Sequence, residues 1–177
     1  MSDADDERAV DGVRAALART AAELAAAGVP DEALGRFVPG RRVLGIVGRP
    51  SMKPLGRVWR LGVLLLARDG TAYATGAITR AVEPGHPGHM AVSTEQRREV
   101  RAAAHRGPFA EGETVNYDAE PIALDAAALR EGSGPLFVRE GRALVRWSAS
   151  ADDASAAPFD RYLAERTDLL LHPPERA

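Results

Sequence analysis

The sequence predicts an α+β domain: an antiparallel sheet of about five strands, built from two tight hairpins, with N- and C-terminal helices packed on it. Three observations predict it. Asp69-Gly70 and Glu140-Gly141 each separate two apolar, strand-like runs, and Asp-Gly suits a two-residue turn because both residues tolerate φ > 0. Amphipathic helical patterns precede the first run and follow the last. The strands do not alternate one by one with helices, which argues against a doubly wound parallel sheet.

A chain of 177 residues suits one domain, with a helical segment over 1–40, a sheet-forming body over 41–148 and a terminal helix within 149–177. Val10, Val13, Leu17, Ala21 and Leu24 recur at helical spacing over 6–27, and Gly28 with Pro30 ends that helix. Residues 31–37 read as a short helical turn capped by Asp31. Residues 41–47 read as a first strand, and 48–56 as a loop on their Pro and Gly signals.

The first hairpin follows. With Asp69-Gly70 as the whole loop, Arg68 pairs with Thr71, Leu65 with Ala74, Val63 with Gly76, Leu61 with Ile78, and Trp59 with Arg80. Alternation then gathers Trp59, Leu61, Val63, Leu65, Ala74 and Ile78 on one apolar face, where Arg80 can stack on the Trp59 indole or reach into a pocket. Gly62 and Gly76 leave gaps that a ligand, another backbone or a covering helix can fill.

Residues 83–90 form a second loop. Ser93 and Gln96 make a capping box for a helix running to Gly107, whose thin apolar content places it at the surface. Residues 108–122 read as irregular or briefly extended. Asp125 caps a short helix over 125–130, closed by Gly132. The second hairpin spans 136–139 and 142–147. A small-residue connector over 149–157 leads to a last amphipathic helix over 159–171.

Composition excludes several chemistries. With no cysteine, disulfides, thiolate metal sites and cysteine nucleophiles are ruled out. The acidic first eleven residues do not resemble a targeting signal, and the longest apolar run, 61–67, is far too short to span a membrane. A cytoplasmic protein without membrane attachment is expected. Lys53 is the lone lysine among 23 basic residues. Residues 41–106 hold 12 basic against 4 acidic residues, whereas both flanking segments are acidic. A basic middle suits an anion, or is neutralised by the acidic ends after folding. Nucleic acid is disfavoured as a partner, because the pI is 6.1 and Glu95 and Glu99 interrupt the arginines of the 93–107 helix.

Three places carry candidate chemistry. His86 and His89 lie three apart in a Pro/Gly loop, where a metal site would need a carboxylate such as Glu83 or Glu113; plain exposed histidines are the alternative, and no metal or cofactor is expected. The 48–56 loop offers Arg49 and Lys53 to an anion without the spacing of a P-loop. Residues 109–122 concentrate Glu111, Glu113, Asn116, Tyr117, Asp118 and Glu120 with little apolar pattern, as binding loops do.

The stretches RLGVLLLARDGTAYATGAITRAVEPG, FAEGETVNYDAEPI and GPLFVREGRALVRW resemble a group of small, uncharacterised actinobacterial proteins, some of which bear a glutaminase label. The resemblance covers about residues 57–147 and implies hydrolysis of the glutamine amide. The residues lack the machinery that label requires: Ser51-Met52-Lys53 is one residue short of Ser-x-x-Lys, no cysteine nucleophile exists, and no G-x-S-x-G elbow occurs. No family site residue is therefore carried over.

The expected function is a non-catalytic module that binds a small ligand or a partner protein. Its candidate ligand-binding residues are Arg49, Lys53, Trp59, Arg80, Glu113, Asn116, Tyr117 and Asp118, and no catalytic residue is assigned. The alternative is an amide hydrolase using His86 or His89 with carboxylates between Glu111 and Glu120, which requires the two loops to converge.

Overall fold

A computed structural model describes residues 3–40, 42–43, 46–84, 92–148 and 153–174. In chain order these form α1 (Asp3–Ala26), β1 (Glu32–Val38), β2 (Arg42–Val43), β3 (Ile46–Val47), β4 (Ser51–Leu61), β5 (Leu64–Ala67), β6 (Ala72–Ala74), β7 (Ala77–Arg80), α2 (Val92–His105), β8 (Thr114–Tyr117), β9 (Glu120–Pro121), α3 (Ala126–Glu131), β10 (Leu136–Arg139), β11 (Arg142–Val145), a 3₁₀ turn (Asp153–Ser155), β12 (Ala157–Pro158) and α4 (Phe159–Leu171). The strands make one sheet of seven in the order β7-β8-β1-β4-β5-β6-β9, a second of three in the order β10-β11-β12, and a two-strand ladder β2-β3. The fold class is α+β. The expected single antiparallel sheet of about five strands is not found: the described residues form two principal sheets, one with a parallel pair, and four helices. Among the described residues, no helix is long and apolar enough to cross a membrane.

The chain divides into two compact units that interleave in sequence. The first comprises Met1–Asp31, Trp59–Thr75 and Glu120–Ala177; the second comprises Glu32–Val58 and Gly76–Ala119.

In the first unit, α1 buries the stripe its sequence announces: Val10, Val13, Leu17, Ala21 and Leu24. They pack with Trp59, Leu61, Leu64, Val138, Phe159 and Leu163. Gly28, at φ +65°, turns the chain out of α1, and the Val29 amide donates back to the Leu24 carbonyl at 3.0 Å. This six-residue closure is the usual use of glycine after a helix.

Residues 59–68 are not one strand, as expected. The chain reverses at Gly62-Val63, with Gly62 at φ +68°, so β4 and β5 are neighbouring strands of a tight hairpin. What the sequence presents as a gap in a strand is a turn glycine. The next reversal falls near Asp69-Gly70 but uses three residues. The Ala67 amide donates to the Thr71 carbonyl at 2.9 Å, Gly70 takes φ +86°, and Leu65 pairs with Tyr73. That one-residue difference changes every expected pairing. Arg80 is opposite Thr114 on β8, so the Trp59–Arg80 pair does not form. The second hairpin is as expected: Glu140 and Gly141 both take positive φ, and Arg139 pairs with Arg142.

In the second unit the strand order is β7-β8-β1-β4. β1 replaces the expected helical turn over 31–37. It pairs antiparallel with β4 (Glu32 to Val58 through Val38 to Ser51) and parallel with β8 (Ala33 to Val115). Pairing on both sides outweighs the local capping signal of Asp31. The expected loop over 48–56 belongs largely to β4. Residues 53–57, including Pro54 and Gly56, are exposed, and most of them pair with β1. α2 covers one face and buries Val100, Ala103 and Ala104 against Ala33, Met52, Ala81 and Val115. Gly76 lies so close to the Tyr117 and Asp118 carbonyls that no side chain would fit, which is the backbone approach its position suggested.

Candidate anion groove

The expected site residues do not converge. Arg49 and Lys53 are exposed, and Lys53 pairs with Arg36 of β1. Trp59 is buried in the first unit's core, and its Nε1 donates to the Val29 carbonyl at 2.9 Å. Glu113 forms an ion pair with Arg57, and its carboxylate also accepts from the Ala110 amide at 2.9 Å. Asn116 is buried; its Nδ2 donates to a Glu32 carboxylate oxygen at 2.8 Å and to the Ala33 carbonyl at 3.2 Å. Asp118 is an exposed turn residue at φ +54°. The segment 109–122 is not an irregular loop: β8 is an interior strand, and its polar residues are used in the fold.

Arg80 and Tyr117 do come together. They line a groove of about 350 Å3 with Ile78, Thr79 and Val82, facing Arg97, Val100 and Arg101 of α2. Arg97 and Arg101 are four apart, so the helix presents both on one side. Three arginines are among its lining residues, and that lining contains no carboxylate. Arg80 and Arg101 form no ion pair among the described residues. Arg98, next along α2, is instead bound by Glu95 at 2.8 Å, and Arg106 donates to the Pro50 carbonyl at 2.8 Å. Burial, and then the neighbouring Asp118 charge, push the Tyr117 phenol above its ordinary pKa. Tyr117 therefore stays neutral and keeps its O–H donor at neutral pH. Gathered positive charge over an apolar floor of Val82 and Val100 is chemistry suited to an anion carrying apolar groups.

Sequence reading missed Arg97, Arg101, Ile78, Val82 and Val100. The signal for the first two was present as R-x-x-x-R on a capped helix, but without β7 alongside it reads as a solvated face. At the end of α2, the His105 Nδ1 lies 3.0 Å from a Glu111 carboxylate oxygen in an exposed pair. His86 and His89, on which the hydrolase alternative depends, lie outside the described residues. Among the described residues, no three His, Asp or Glu side chains gather as metal ligands.

The first unit has a smaller cavity, about 140 Å3, lined in part by Val63, Ser133 and Arg146. Its arginine is committed to the fold. Arg146 donates to Asp153 at 2.8 Å and to the Gly134 carbonyl at 2.5 Å, and lies 3.8 Å from the Phe137 ring centroid. Compared with protein-family models, with curated proteins and with solved structures, the chain matches none.

Proposed function

We propose that this protein is a non-catalytic binding module whose second unit takes an anionic ligand in the groove between β7 and α2. The observation that carries the reading is the set Arg80, Arg97 and Arg101 around one concavity with no acidic residue in its lining. Arg80 and Arg101 form no ion pair among the described residues, so an anion that enters meets positive charge there that the fold has not neutralised. The volume falls within the range of small-ligand pockets.

Citrate, a compact trianion, tests this by isothermal titration calorimetry. Binding that weakens as ionic strength rises, and falls at least about fivefold in Arg80→Ala and in Arg101→Ala, supports it. Lys53→Ala serves as the basic-residue control and leaves affinity unchanged. No citrate binding at millimolar concentration, or binding indifferent to both arginine substitutions, overturns it.

A further inference from the structure

We infer that the ribbon made by the β1–β4 and β2–β3 ladders docks on an anionic lipid surface, its cations among the headgroups and its apolar end in the interface. This is independent of the groove. β8 borders β1 only at Ala33 and Leu34. From Gly35 to Val38, β1 pairs with β4 alone. The pairs Arg42 with Val47 and Val43 with Ile46 then keep the offset of Arg36 with Lys53. Between the ladders, Gly40 lies so close to the Gly48 carbonyl that no side chain would fit. The two strands thus stay together, and among the described residues β2–β3 has no third strand beside it. Arg106 of α2 holds the Pro50 carbonyl at 2.8 Å. Ile46 is four residues beyond that anchor, about 13 Å along an extended chain.

The charge along this ribbon is of one sign. Residues 33–58 contain six basic residues and no acidic one. Arg57 is paired with Glu113, but Arg36, Arg49 and Lys53 are exposed and form no ion pair among the described residues. Phe37 and Met52 pack with the α2 residues, so Arg36 and Lys53, directly opposite each other one residue along, take the other face. Like charges placed so weaken a ladder, and no carboxylate of the ribbon offsets them. Between Arg42 and Arg49 the chain reads VLGIVG, with no charge, no aromatic ring and no side-chain hydrogen-bonding group. A nucleic-acid contact needs cations or stacking rings at that end. A bilayer interface takes apolar residues to its acyl boundary and gathers cations among its headgroups, which is the order along this ribbon. The expectation of no membrane attachment rests on the lack of a spanning segment, which docking of this kind does not need. Exposed cations suit a surface of many headgroups rather than one compact anion, so Lys53→Ala remains the control for citrate.

The test is flotation of the whole protein with phosphatidylcholine vesicles, with the same vesicles carrying about one-third phosphatidylserine, and with a short DNA duplex as the competing polyanion. Binding to the phosphatidylserine vesicles alone, weakening as ionic strength rises, is expected. Arg36→Ala and Arg49→Ala should each weaken it about fivefold, and the double variant about twenty-fivefold. Arg19→Ala, at an exposed position of α1, should leave it unchanged. Ile46→Asp should abolish it; if thermal melts show that this variant does not fold, the arginine variants decide. No binding to phosphatidylserine vesicles, or binding indifferent to Arg36 and Arg49, overturns the proposal. Binding that a folded Ile46→Asp retains overturns the role of the apolar end, and capture of the duplex without the vesicles overturns lipid in favour of nucleic acid. None of these outcomes bears on citrate in the groove.

Discussion

The Tyr162 hydroxyl stands over Gly62 and closes the turn beneath it, donating to the Leu61 carbonyl and accepting from the Val63 amide, each at 2.8 Å. Any Cβ at residue 62 would overlap that oxygen, and φ is already +68°. Gly62→Ala should therefore lose about 2 kcal/mol or more in urea unfolding, combining left-handed strain with displacement of the tyrosine. Tyr162→Phe leaves both backbone groups unpaired and should lose about 1–3 kcal/mol. Because the two residues act on one turn, the double variant should lose less than the sum.

The cation beside Trp59 is Arg68. Its guanidinium lies 5.7 Å from the ring centroid and is held by Asp31 through Nε at 2.9 Å and Nη2 at 2.7 Å. Arg68→Leu should cost about 0.5–1 kcal/mol, a modest value because the side chain is largely exposed. Arg80→Leu should stay within about 0.5 kcal/mol of wild type. Paired urea titrations separate the two; a larger loss from Arg80→Leu would contradict the placement of Arg80 on an open edge.

Asn116→Ala should destabilise by about 1–3 kcal/mol, since Glu32 and the Ala33 carbonyl lose their shared donor in a buried setting. Citrate affinity should not change, because the amide is used within the sheet. A variant that kept its stability but lost citrate binding would return Asn116 to the ligand site.

Asp6 links α1 to the second hairpin. The Gly141 backbone amide, at 2.9 Å, and the Arg130 guanidinium, at 2.8 Å, hold its carboxyl below its ordinary pKa, the amide contributing most. A carboxylate that is more acidic when folded contributes stability fully present above its unfolded pKa of about 3.9. That contribution disappears as pH falls through the lower folded value. Melting temperatures from pH 7 to 2 should show wild type losing its advantage over Asp6→Asn below about pH 4. Parallel curves across that window would count against the linkage.

Features determined locally were legible in the sequence. The Asp125 side chain accepts from the Ala128 amide at 2.8 Å, as its capping position implies. The Glu140-Gly141 turn and the 159–171 helix also lie where their local sequence signals put them. Features determined by distant partners were hidden. Nothing near Ala33 announces a parallel partner at Val115, and nothing near Gly62 announces Tyr162. The site divides in the same way. Arg80 and Tyr117 were singled out for their chemistry, but their companions on α2 acquire meaning only when β7 lies alongside. Trp59 and Asn116 have polar atoms that look available in sequence and are occupied in the fold.

The interleaving of the two units sets the order in which a nascent chain can fold. Val138, Val145, Phe159 and Leu163, which complete the core of α1, follow it by more than a hundred residues. At synthesis rates of about 5–20 residues per second, its apolar stripe waits on the order of 5–30 seconds for that cover. β1 likewise waits for β8. A newborn chain should therefore need a holding chaperone until α4 has been made, and no contiguous fragment reproduces either unit.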